Sequence, residues 1–237
     1  LNPVYTPSTA DISSGSVILT ITGQSAAPCG PVSDAMTLTI SDQAIAYAGA
    51  DAIICEGSTY TLSDAVATNA ISILWTTNGT GVFNNPTAVN PTYVPSQSDI
   101  LNGSVTLTMY ANSASPCPGA SDAMVLTISR QAVVYAGPDA TICEGSTFQL
   151  SQTTQTNSTS LLWTTSGTGT FSDPTALNPV YTPSVPDIAN GSVTLTLTAQ
   201  SAPPCSPTSD VMVLSISRQA IANAGPDATI CGSANYT

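Results

Sequence analysis

Residues 103–110 read GSVTLTMY, and residues 191–198 read GSVTLTLT. Apolar and hydroxyl side chains alternate strictly. A β-strand sends successive side chains to opposite faces, so Val105, Leu107 and Met109 share one face while Thr106 and Thr108 share the other. One dry face and one wet face marks an antiparallel sheet packed on a single side. The stretch 122–128, DAMVLTI, repeats the pattern, with Met124, Leu126 and Ile128 inward.

Moving outward from these strands, self-similarity dominates. Tyr47–Val134 realigns on Tyr135–Ala222 without a gap, and roughly two thirds of the positions match, which marks a tandem repeat. LNPVYTPS at residue 1 returns at residue 177. The reading is therefore the C-terminal half of a repeat at 1–46, complete repeats at 47–134 and 135–222, and the start of a further copy at 223–237, a window on a longer protein. A period of 88 residues exceeds a solenoid unit and suits one β-sandwich domain.

Within the repeat from Tyr47, strands are expected at 50–55, at 58–63 with Tyr60 and Leu62 on one face, and at 70–77 with Ile71, Ile73 and Trp75 inward. Asn78-Gly79-Thr80-Gly81 is a hairpin signal leading into a strand at 80–84. Residues 86–95 read as an edge punctuated by Pro91 and Pro95. Ser96-x-x-Asp99 forms a capping box on one helical turn. About seven short strands, with one Trp on the third, specify an immunoglobulin-like sandwich. The fold class is all-β: tandem immunoglobulin-like (PKD-like) antiparallel β-sandwich domains in a rod-like array.

Composition excludes several functions. The chain carries 14 acids against two bases, Arg130 and Arg218, for a net charge of −12. That balance repels phosphate backbones and anionic lipid, so neither nucleic-acid binding nor electrostatic docking on anionic membranes is expected; no run of ~18 apolar residues occurs, so direct membrane insertion of this segment is not expected either. Only 7% of residues are charged, against ~25% in an average soluble protein, so hydroxyls and amides must cover the surface. The sequence has no His and no Lys, which removes the usual neutral-pH base, Schiff-base chemistry and P-loop phosphate binding. No catalytic constellation is left, and the reading is a non-enzyme.

At this point the residues resemble a known group. AGPDATICEGSTFQLS, LLWTTSGTGTF, LNPVYTPSVPDIANGSVTLTLTA, a loop cysteine and SDVMVLSIS together resemble the PKD-like, Ig-like repeats of giant cell-surface proteins in gliding and biofilm-forming Bacteroidota, the SprB-like gliding adhesins among them. The resemblance implies type IX secretion, an extracellular cell-surface location and service as a filament or adhesin stalk.

The six cysteines, Cys29, Cys55, Cys117, Cys143, Cys205 and Cys231, alternate at spacings of 26 and 62. No C-x-x-C motif and no His accompany them, so disulfides are favoured over metal. Pairing within a repeat gives Cys55–Cys117 and Cys143–Cys205. The first turn and the last loop of an Ig sandwich lie at opposite ends, whereas head-to-tail stacking brings one domain's turn to the next domain's loop. That geometry favours an interdomain Cys55–Cys205 staple. Asp51, Asp139 and Asp227, with Glu56 and Glu144, recur in phase and are weak calcium candidates beside a plainer reading as turn and cap residues. Trp75 and Trp163 read as core rather than as sugar platforms. The functional reading is a structural filament or stalk with self-association along or between rods. A glycan- or surface-binding module and a passive spacer of a secreted hydrolase are the alternatives.

Overall fold

The computed structural model describes residues 2–232. The chain divides into two units, residues 1–130 with 203–205, and residues 131–202 with 206–237.

The first unit opens with α1 (Thr9–Ser14), β1 (Ser16–Gly23) and β2 (Val32–Thr39), the last two an antiparallel hairpin. There follow β3 (Ile45–Tyr47), β4 (Ala52–Cys55), β5 (Tyr60–Thr61), β6 (Val66–Thr68), β7 (Ser72–Thr77), β8 (Val82–Phe83), β9 (Thr92–Val94), α2 (Gln97–Asn102), β10 (Ser104–Asn112) and β11 (Ala120–Ser129). A four-stranded sheet runs β4-β11-β10-β7 and a three-stranded sheet runs β5-β9-β8, with β3 paired to β6. Strand β4 is parallel to β11, whereas β10 is antiparallel to both of its neighbours.

The alternation read in the sequence sets the core. Val105, Leu107, Met109, Met124, Leu126 and Ile128 are all buried, together with Trp75, Leu62 and Tyr93. Trp75 stacks tilted on Phe83 at 5.9 Å between ring centroids, and Phe83 on Tyr93 at 5.0 Å, so one aromatic row fills the space between the sheets. This is an immunoglobulin-like β-sandwich.

The second unit repeats the design. It contains β12 (Val133–Tyr135), β13 (Ala140–Cys143), β14 (Phe148–Gln149), β15 (Thr154–Thr156), β16 (Ser158–Thr165), β17 (Thr170–Phe171), β18 (Val180–Thr182), α3 (Val185–Asn190), β19 (Ser192–Ser201) and β20 (Thr208–Ser217). Its sheets are β13-β20-β19-β16, β14-β18-β17 and β12-β15. Trp163, Phe171 and Tyr181 rebuild the aromatic row.

Several local readings change. The Asn78–Gly81 turn is not a hairpin: β7 belongs to the four-stranded sheet and β8 to the three-stranded one, so the turn crosses between layers. Pro91 and Pro95 bracket β9 rather than interrupt it, and β9 is the central strand of its sheet, not an edge. Ile71 precedes β7 and is 71% exposed rather than inward. The paired segments β3 and β6 are three residues each, too short for a period to register in the sequence.

The hairpin β1–β2 follows the same backbone plan. It has the register of β10–β11, displaced by one period. Leu107 on β10 is 0% exposed. Leu107→Ala should therefore cost about 2–5 kcal/mol in denaturant unfolding through lost burial and a cavity. Thr106→Ala, on the opposite face of the same strand, should cost well under half as much. Equal losses at both positions would contradict this account of the core.

Candidate functional site

Two constellations recur at the repeat period: a buried carboxylate and a cysteine pair.

The carboxylate is Asp99, 1% exposed. Ser96 caps α2 and exchanges hydrogen bonds with Asp99 in a capping box, and Gly103 closes the helix in the left-handed region at φ 77°. The same carboxylate does more than cap. Its Oδ2 accepts from the Ser96 N–H at 3.0 Å, the Gly81 N–H at 2.9 Å and the Tyr93 hydroxyl at 2.7 Å, while Oδ1 accepts from the Thr80 N–H at 3.0 Å. It thus ties the helical turn, β9 and the crossing turn after β7 into one node. A Cβ on Gly79 would strike the Asp99 carboxylate, and one on Gly81 would strike the Tyr93 hydroxyl. The two glycines that suggested a hairpin are there for this close approach. Asp187, Tyr181, Ser184, Thr168 and Gly169 build the same node in the second unit. Tyr5, Ser8 and Asp11 form the local part of it in the open.

Burial pushes the Asp99 carboxyl up, but hydrogen bonds from Ser96, Thr80 and Tyr93 outweigh it and hold the pKa below the ordinary value. Burial raises the Tyr93 phenol to about 12. Asp99 pairing therefore adds stability that is complete above ~pH 4 and lost as the pH falls through the depressed folded pKa. Asp99→Asn should lower stability by about 2–5 kcal/mol at neutral pH. It should also flatten the acid limb of a melting-temperature profile between pH 6 and pH 2; an unchanged limb would remove Asp99 from this role.

The cysteines sit on two kinds of element. Cys55 ends β4 and pairs with Ser129, the last residue of β11. Cys117 lies in the loop before Ala120, where β11 starts. The ten residues of β11 separate these two positions by ~30 Å, which forbids bonding within the repeat. Cys55 is bonded to Cys205, 150 residues on, with Cα atoms 4.9 Å apart. Pro203–Cys205 groups with the first unit. The Cys205 sulfur lies 3.3 Å from the Ser129 carbonyl oxygen, and the Ser129 hydroxyl donates to the Pro203 carbonyl at 2.7 Å. Cys29, Cys117, Cys143 and Cys231 are free thiols.

Three of the five acidic candidates accept hydrogen bonds from the backbone. Asp51 accepts from the Val125 N–H and Asp139 from the Val213 N–H, both at 2.8 Å. Glu144 accepts from the Gln219 N–H at 2.9 Å. Asp227 is exposed and Glu56 partly so. Among the described residues no three metal-ligating side chains converge. Trp75 and Trp163 are each 2% exposed and present no face to a sugar.

The chain is similar to an I-band fragment of titin, with a TM-score of 0.50 and 14% identity, over 81% of this chain and 71% of that one. It is also similar to extracellular cadherin domains 3–6 of protocadherin gamma B2, at 0.44 and 14% over 87% of this chain and 60% of that one. Mouse cadherin-23 EC22–24 matches at 0.40 and 16% over 74% of this chain and 66% of that one. No family model and no curated protein matches the chain. What the titin likeness establishes at this identity is the fold: the chain is built of tandem immunoglobulin-like β-sandwich repeats.

Proposed function

We propose that the chain is a load-bearing segment of an extracellular cell-surface filament or adhesin stalk, without catalysis. The observation that carries the reading is the Cys55–Cys205 bond. In sequence terms it joins the strand cysteine of one repeat to the loop cysteine of the next. A pull applied to the chain ends is then transmitted through the disulfide, and the 149 residues between the two cysteines are shielded from it. Such a bond also calls for an oxidising compartment. The repeat motifs, through their resemblance to gliding-adhesin repeats, support surface export by type IX secretion. The outer face of β10 and its neighbours, with exposed Leu74, Tyr110 and Val125 and few charges, suits a material whose neighbours lie side by side and self-associate.

The test is mechanical. Pulled from its two ends by single-molecule force spectroscopy, the oxidised chain should release only residues outside 55–205. Adding reductant should lengthen the final contour by about 50 nm, at ~3.4 Å per freed residue. Equal contour lengths with and without reductant would refute the load-bearing role.

A further inference from the structure

Three serines stand one period apart at equivalent positions: Ser41, Ser129 and Ser217. At Ser129 both sulfurs are present and bonded. Cys55 is its ladder partner, the Glu56 N–H donates to its carbonyl at 2.8 Å, and the Cys205 sulfur lies 3.3 Å from the same oxygen. At Ser217 only the strand half is built. Cys143 is its ladder partner and the Glu144 N–H donates to its carbonyl at 2.9 Å. The Cys143 thiol is exposed. At Ser41 only the loop half is built: the Cys117 thiol donates to its carbonyl at 3.0 Å. The Cys143 backbone and the Cys117 sulfur are thus placed as those of their bonded equivalents, Cys55 and Cys205.

We propose that Ser217–Cys143 and Ser41–Cys117 are complementary half-sites for two further disulfides of the Cys55–Cys205 kind. Cys143 takes the loop cysteine of a following repeat, and Cys117 takes the strand cysteine of a preceding one. The inference rests on the tandem-array reading above. Each bond forms as two thiols give up two protons and two electrons to an oxidised small-molecule disulfide, such as oxidised glutathione, which leaves as two thiols.

The consequence is interleaving. Cys143 lies inside the loop closed by Cys55–Cys205, and so does Cys117. With the half-sites filled in a continuing array, successive loops overlap and every backbone position lies within at least one of them. Any single peptide cleavage then leaves the two ends covalently joined.

Two extended chains test this. In the first, residues 150–222 follow Thr237, completing the repeat begun there and supplying a copy of Cys205. In the second, residues 47–88 precede Leu1 and supply a copy of Cys55. Each is folded with oxidised glutathione, alkylated with iodoacetamide and mapped unreduced by mass spectrometry. Cys143 in the first and Cys117 in the second should escape alkylation and appear in a peptide linked to the appended cysteine. Cys143→Ser should return the appended loop cysteine to the alkylated pool. If either extension folds with Cys55–Cys205 intact yet leaves its target thiol alkylated, the proposal is overturned while the load-bearing reading stands. Should one extension fail to fold, the other decides. Loss of Cys55–Cys205 itself would instead count against the load-bearing reading.

Discussion

The sandwich depends on how its two sheets exchange the chain, and in each complete repeat a buried carboxylate controls that exchange. Placing an ionised carboxylate out of water costs several kcal/mol unless its oxygens are satisfied. Asp99 meets this with four donors, three of them backbone N–H groups and one a phenol. Hydrogen bonds to a charged acceptor are worth about 1.5–3 kcal/mol each, so the set offsets the desolvation. The price falls on the backbone, which must approach without side chains at Gly79 and Gly81. The turn that leaves β7 is thereby aimed into the opposite sheet, and the aromatic row of Trp75, Phe83 and Tyr93 lines up across the gap it opens.

Residues 2–46 repeat the local part of this arrangement. The Ser8 capping box forms as at Ser96 and Ser184, and Tyr5 reaches Asp11 at 2.6 Å. The hairpin register is likewise the same. Short-range chemistry therefore sets helix and hairpin geometry.

The parts legible in the sequence are those with short-range causes. Alternation at 104–110 and 122–128 placed the core strands because a period of two maps directly onto two faces. The capping box was legible because its partners are three residues apart. The crossing turn at 78–81 was not, because its geometry is dictated by a carboxylate some twenty residues later; the recurring pairing of Gly79 and Gly81 with Tyr93 and Asp99 was the available signal. The roles of Asp51 and Asp139 were hidden in the same way, since each serves a backbone N–H 74 residues downstream. Cysteine spacing alone leaves both disulfide patterns open. What separates them is the parallel pairing of β4 with β11, which sets Cys55 beside Ser129 and a full strand away from Cys117.

That parallel pairing also orders events during biosynthesis. A chain made from its N-terminus presents Cys117 to Cys55 long before Cys205 exists. Once β4 has docked along β11, the nearer thiol is out of reach, and Cys55 stays reduced until the next loop arrives. Docking of β4 along β11 thus keeps Cys55 from the nearer thiol and leaves it for Cys205.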